Sequence, residues 1–246
     1  MDLVYEFLVA RTLEVENEVK TNQHAPSRTL IALAGVPGAG KSTVAREVVN
    51  RLNKLAGTAY ATVLPMDGFH LPRVALDLLP NSGELHARRG APWTFDAQGV
   101  VNLVKLLDQS RRDGSWLSRS VLAPAFDHVA KDPVVDAIIV SPDTSTVILE
   151  GNWLLLDESP WSTISAMVDD TWFVDVLPEL ARHRIAQRHI QSGIENNWDA
   201  AVKRAEYNDL PNGELARAKL IQPRITIRSV EEYRNGVRKL SDLRHL

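Results

Sequence analysis

The sequence predicts an α/β protein with a mostly parallel sheet and helices on both faces. Three observations carry that expectation. A strand-length apolar run, Thr29-Leu30-Ile31-Ala32-Leu33-Ala34, leads through a glycine-rich turn into a helix-periodic segment from Thr43 to Leu55. A second apolar run, Ala59-Tyr60-Ala61-Thr62-Val63-Leu64, follows at once, and strand–helix–strand units of this kind pair in parallel with a right-handed crossover. Further strand-like runs recur at 146–149, 171–176 and 224–228, separated by helical patterns. No repeat, low-complexity tract or dividing linker breaks the chain, so residues 1–246 are expected to form a single domain.

Taken in order, Leu3, Val4, Phe7, Leu8, Val15 and Val19 give an N-terminal helix its apolar stripe, and Asn22 to Ser27 read as a polar linker, so that 1–27 form an added helix and connection. The segment after the glycine-rich turn puts Val44, Val48, Leu52 and Leu55 on one helical face, with Gly57 as its C-cap. Residues 68–99 are rich in Pro, Gly, His and Arg and have little periodicity, as functional loops do. Phe95 to Leu107 is helical, with Val100, Leu103, Val104 and Leu107 on one face. Leu117 to Leu122 reads as a short strand, and Ala123 to His128 as irregular. Val134 to Val140 and Thr146 to Leu149 read as strands about a Pro142-Asp143 turn. Ser162 to Val168 is a short helix, and Thr171 to Val176 a strand. Pro178 opens a helix that Gly193 ends. Asp199 to Leu210 and Glu214 to Leu220 are two helices, Arg224 to Arg228 a last strand, and the tail is polar.

Composition narrows the function. Hydrophobic content of 44% and charged content of 24% are those of an ordinary globular protein. A net charge of −3 provides no field for nucleic acid or an acidic membrane. With no cysteine, disulfides, thiolate zinc sites and thiol nucleophiles are out of reach. No apolar run has the length of a membrane span. Asp2, Glu6, Glu14, Glu16 and Glu18 make the N-terminus too acidic for a transit peptide, and it has no signal-peptide h-region. A cytoplasmic location is the expectation.

The chemistry starts at Gly35-Val36-Pro37-Gly38-Ala39-Gly40-Lys41-Ser42, which fits the phosphate-loop pattern G-x-x-x-x-G-K-[ST] at every fixed position and lies between a strand and a helix. Small residues let backbone N–H groups approach phosphate oxygens, and the helix N-terminus adds partial positive charge. Lys41 reaches the β/γ-phosphates and the Ser42 hydroxyl sits on Mg²⁺. Asp67 follows the second strand, where ligands collect in such sheets, and can accept or orient a hydroxyl proton; its structural alternative is a helix cap. Glu150 closes the apolar run 147–149, which suits a carboxylate that holds Mg²⁺ or contacts substrate; the alternative is a satisfied buried acid. Arg184 and Arg188 share one face of the helix after Pro178, and either can close over a transferring phosphoryl or form part of a solvated basic face. Trp93, Phe95, Trp116 and Phe126 can line a pocket or pack, and Arg88-Arg89 can bind an anion or be solvated. The histidines lack metal-ligand spacing.

Four segments, Gly35 to Thr43, Met66-Asp67-Gly68-Phe69-His70-Leu71, Val147 to Gly151 and the arginine-bearing helix near 182–189, together resemble the uridine kinase/phosphoribulokinase/pantothenate kinase family. Met-Asp-Gly-Phe-His is similar to bacterial pantothenate kinases rather than uridine kinases. Arg88 to Asp96, Ala123 to His128 and Leu149-Glu150-Gly151-Asn152-Trp153 resemble a subgroup of bacterial fructose-transport-linked kinases and yeast-type fungal proteins. The resemblance implies a P-loop NTPase fold with an arginine-bearing lid at about 178–200. It implies ATP, Mg²⁺ and γ-phosphoryl transfer to the hydroxyl of a sugar, pantothenate-like or nucleoside-like acceptor. Asp67 is then the base, residues 35–43 including Thr43 hold the nucleotide, and Arg184 or Arg188 belongs to the lid. His70, Arg88, Phe126, Asp127 and His128 surround the acceptor with Glu150, and 208–213 approach the nucleotide. A small-molecule partner and a homodimer are implied, with no nucleic acid or membrane. Two other functions remain open. One is a regulatory NTPase without an acceptor, although Asn53-Lys54 is not followed by the aspartate of a guanine-reading motif. The other is a degenerate kinase kept for binding.

Overall fold

The computed structural model describes residues 2–23, 28–234 and 237–245, without the side chains of residues 22, 23, 116 and those from 231 on. The strands are β1 (Thr29–Gly35), β2 (Ala61–Pro65), β3 (Val121–Asp127), β4 (Asp132–Val140), β5 (Thr146–Glu150), β6 (Asp170–Val176), β7 (Ile225–Arg234) and β8 (Val237–His245). Six of them form one sheet in the order β2-β5-β1-β6-β7-β8. The first five are parallel and β8 pairs antiparallel with β7. β1 and β2 run parallel but do not pair with each other as expected, because β5 is inserted between them and hydrogen-bonds to both. All residues of β1 and β5 are buried, as continuous apolar runs in a covered parallel sheet should be.

Helix α1 (Asp2–Gln23) packs through Val4, Tyr5, Leu8, Val9, Thr12, Val15 and Val19. Leu3 and Phe7 were expected in that stripe but are exposed, because they fall outside the arc set by positions 4, 8, 12, 15 and 19. Residues 24–27 of the linker lie outside the described residues. Helix α2 (Lys41–Ala56) buries Val44, Ala45, Val48, Val49 and Leu52 and ends at Gly57 in the left-handed conformation, while Leu55 is exposed at its last turn. Residues 68–99 are more ordered than an irregular loop. They hold α3 (Arg73–Asp77), α4 (Ser82–Ala87) and two 3₁₀ turns, at Met66–Phe69 and Pro92–Thr94. Helix α5 (Ala97–Asp113) starts at the Asp96 cap, whose Oδ1 accepts from Gly99 N at 2.8 Å.

The segment 117–128 departs from expectation. Ser115–Leu117 is a 3₁₀ turn, and Ala123 to Asp127, read as irregular, belong to β3, which pairs with β4 as a separate antiparallel ribbon. Pro124 hid the strand: it cannot donate to a ladder, and the register shifts between Ala123 and Ala125 to accommodate it. Beyond the sheet, α6 (Pro178–Gln191) and α7 (Trp198–Arg204) lead into a π turn at Ala205–Asp209 and then α8 (Leu210–Ala218). The two helices expected at 199–220 are thus joined by a widened turn, since Pro211 lacks the N–H that would close an ordinary one. The polar tail contributes β8.

Buried charges anchor the amino ends of the strands. Asp169 accepts from Leu30 N at 2.8 Å and from Arg111 Nη1 at 2.7 Å, and Asp170 accepts from Arg11 Nε at 2.9 Å and Trp172 Nε1 at 3.0 Å. Among the described residues no helix is long and apolar enough to cross a membrane.

Candidate active site

The carboxyl ends of β1, β2 and β5 converge. Leu33 of β1 is in register with Glu150, and Pro65 of β2 also pairs with Glu150. The loop after β1 turns into α2 at Gly40, whose φ of 89° belongs to the left-handed region that glycine occupies without strain. Lys41 is buried, and its Nζ donates to Val36 O at 3.1 Å, folding the side chain back over the loop. Ser42 donates from Oγ to Glu150 Oε2 at 3.1 Å.

The electrostatics tie these groups together. Burial lowers the Lys41 pKa, the Glu150 and Asp67 carboxylates oppose that shift, and the Arg188 charge adds to it. Burial raises the Glu150 pKa, against the pull of Lys41. One ammonium, two carboxylates and one guanidinium therefore act on a common space. Asp67 lies in the 3₁₀ turn Met66–Phe69, held by two close approaches. A Cβ on Gly68 would lie 2.1 Å from Pro124 O, and one on Gly151 would lie 1.9 Å from Met66 Cγ. Only glycine lets the ribbon and β5 close on that turn.

A cleft of about 420 Å³ opens beside it, lined by Ser42, Arg46, Asp67, Phe126, His128 and Glu150, with Val63 and Ile138 as its apolar floor. His70 donates from Nδ1 to Asp67 O at 2.7 Å, which fixes its tautomer, and stacks against Phe95 and Phe126 at 4.0 and 4.8 Å. Burial lowers its pKa, so it is a neutral wedge behind the cleft. Arg46, one turn beyond Ser42 on α2, escaped the sequence reading; its i+4 spacing from Ser42 was the available signal.

Other expected residues have different surroundings. Asp127 accepts from Val129 N at 2.7 Å and Ala130 N at 3.1 Å, so its carboxylate shapes the ribbon turn. Arg88 lies between Trp93 and Tyr207, 5.7 and 5.8 Å from their ring centres, and reaches Asn212 Oδ1 at 3.4 Å. Arg89 donates to Leu71 O at 2.9 Å and Asp132 Oδ1 at 2.7 Å, knitting the 68–96 segment to the ribbon. Phe95 packs in the core and Trp93 is half exposed, while the Trp116 side chain lies outside the described residues. Arg184 donates to Gly38 O at 3.2 Å, Ser229 Oγ at 2.7 Å and Val230 O at 3.2 Å, locking the phosphate loop to β7. Arg188, with its side chain 61% exposed, extends from the same helix. Thr43 lies exposed in the first turn of α2.

For a magnesium ion the residues fit: Ser42 Oγ and Glu150 Oε2 offer two hard oxygens side by side. No group of three acidic, histidine or cysteine side chains gathers among the described residues, so phosphate and water oxygens would complete the shell.

Sheet order, loop and strand-end carboxylates define a P-loop NTPase fold. The chain belongs to the phosphoribulokinase/uridine kinase family, whose family model matches residues 30–205. It is 37% identical over 203 residues to a Schizosaccharomyces pombe protein provisionally named a uridine kinase, covering 82% of this chain and 84% of that one. A solved structure from Silicibacter sp. TM1040, provisionally named a fructose transport system kinase, is similar with a TM-score of 0.76 and 33% identity, over 90% of this chain and 98% of that one. YFH7 of Saccharomyces cerevisiae shares the fold, with a TM-score of 0.80 and 23% identity over 92% of this chain and 99% of that one.

Proposed function

We propose that the protein transfers the γ-phosphoryl group of ATP to a hydroxyl of a small molecule bound in the cleft beside Asp67. The observation that carries the reading is the pairing of two strand-end carboxylates in different surroundings. Glu150 is buried against Ser42 and Lys41, whereas Asp67 faces the open cleft. Residues 35–43 cradle the triphosphate through backbone N–H groups, with Lys41 leaving Val36 O for the β/γ-oxygens. Mg²⁺, held by Ser42 and Glu150 with phosphate oxygens, would neutralise charge on the β- and γ-phosphates. Asp67 orients the acceptor hydroxyl and takes its proton as the acceptor O–P bond forms and the bond from the γ-phosphorus to the β-phosphate oxygen breaks, releasing ADP. Arg188 meets the charge on the transferring group. Arg184 acts through the loop that it holds. Arg46, Phe126 and His128 shape the acceptor's position, with His70 behind them and Arg88 beyond. The mixed apolar and polar lining suits a compact polyol such as a sugar, or a pantothenate-like or nucleoside-like alcohol. The named relatives, a uridine kinase and a fructose transport kinase, fall within that range. We read residues 1–246 as one catalytic unit with its lid at about 178–200.

The test is ADP release with ATP or GTP across sugars, pantothenate, glycerate and nucleosides. ATP-dependent turnover that rises with one acceptor supports the reading. Strict GTP preference with no acceptor response would instead identify a regulatory NTPase.

A further inference from the structure

Helix α6 and the π turn at 205–209 meet in a cluster where Arg188 is joined by two groups that the reaction as described does not use, Asp209 and His189. Asp209 ends the turn with its side chain 13% exposed. Its Oδ1 lies 3.6 Å from Arg188 Nη2, and its Oδ2 lies 3.4 Å from His189 Nε2. Oδ2 is buried without a hydrogen bond, as is His189 Nδ1. Asp209 occupies the N-cap position of α8 yet makes no capping bond there, so helix capping does not account for this carboxylate.

The surroundings connect it to the site. Helix α6 packs on the phosphate loop: Arg184 reaches Gly38 O, and a Cβ on Gly38 would lie 3.1 Å from Ala181 O and from Ile185 Cγ1. The first turn of α8 reaches the same loop, since a Cβ on Gly213 would lie 3.4 Å from Val36 Cβ. Asn208, beside Asp209, donates from Nδ2 to Arg89 O at 2.9 Å, and Asn212 accepts from Arg88. One short stretch thus touches the lid helix, the phosphate loop and the 68–96 segment. Arg188 is a long, exposed cation, and such a side chain gives up many rotamers when it engages a ligand. A largely buried carboxylate within its reach selects among them before the ligand arrives.

We propose that Asp209 is a positioning residue, whose carboxylate holds the Arg188 guanidinium beside the phosphate loop in the setting needed at the transferring phosphoryl. This rests on the kinase reading above. The test is a double-mutant cycle on the full chain with Asp209→Asn, Arg188→Ala and the pair, following acceptor-independent hydrolysis of MgATP and the melting temperature. Arg188→Ala is expected to slow hydrolysis by about a hundredfold and Asp209→Asn by about tenfold, with MgATP affinity nearly unchanged. In the Arg188→Ala background Asp209→Asn should change the rate by less than about twofold, because its route of action is gone. The same tenfold loss in both backgrounds would overturn the proposal and leave Asp209 as a fold element. Should Asp209→Asn not fold, Asp209→Glu runs the same cycle with the same two readings. A parent protein that neither binds nor hydrolyses MgATP overturns the kinase reading and this inference with it. Parent turnover with additive losses overturns the inference alone.

Discussion

The two halves of the cleft are built differently. On the proposed reading, the phosphate side is a continuous local unit: β1, the loop and α2 follow one another, and the groups that would meet phosphate are backbone N–H, Lys41 and Ser42. The proposed acceptor side is assembled from distant pieces. Asp67 lies in a 3₁₀ turn, Phe126 and His128 on a two-stranded ribbon, and Arg89 ties them together through Leu71 and Asp132. A local unit imposes one chemistry wherever it occurs. An assembled wall can be reshaped piece by piece.

Substitutions should therefore separate by side. The largest effect falls on the phosphate side. Lys41→Ala should lower turnover by about 10²–10³-fold by removing a fixed charge at the developing phosphoryl, with the melting temperature held or raised because a desolvated ammonium is gone. Steady-state kinetics and a melting curve check both parts. On the acceptor side, Gly68→Ala sets a methyl against Pro124 O, a backbone atom that cannot move aside. It should cost about 3 kcal/mol and raise the acceptor KM at least tenfold, while MgATP affinity stays near that of the parent. Calorimetric titration of MgATP against a denaturation curve separates those outcomes, and equal losses on both sides would erase the contrast.

A pH profile sharpens it further. Burial holds the Glu150 carboxyl above its ordinary 4.5. Mg²⁺ binding to the free protein should weaken as pH drops through that raised pKa, because proton and ion compete for the carboxylate. The stability of the unliganded protein should move the other way. The folded chain holds that proton more tightly than the unfolded one, so stability contributed at Glu150 is gained as pH falls through the same range. Glu150→Gln should flatten both trends and weaken Mg²⁺ dependence. The smallest effect belongs to Asp127→Ala. Its carboxylate serves two backbone N–H groups of the ribbon turn, so a slightly lower melting temperature and turnover within about twofold are expected. A large rise in acceptor KM would return Asp127 to the binding wall.

Legibility followed the same division. The loop, its flanking strand and helix, and the strand-end positions of Asp67 and Glu150 could be read from the chain because local spacing fixes them. The ribbon could not: Pro124 conceals β3, and the pairing partner β4 is registered by contacts far along the chain. Arg184 and Arg188 look equivalent on a helical face. Tertiary packing against β7 turns one into a brace for the loop and leaves the other exposed. The π turn was invisible for a related reason, since Pro211 permits either a break or a widened turn and the packing of Asn208 and Asn212 decides. Leu3 and Leu55 show the remaining weakness, because an apolar residue near a helix end fits a stripe on paper and can still be left exposed.

The most direct measurement is the kinetics of Asp67→Asn with an acceptor found by the ADP-release screen, set beside its MgATP affinity. The account predicts acceptor-dependent turnover lowered by about 10²–10⁴-fold, with MgATP bound as tightly as by the parent, since Asp67 serves the acceptor hydroxyl and Glu150 the metal. Acceptor phosphorylation at the parent rate would contradict that division of labour.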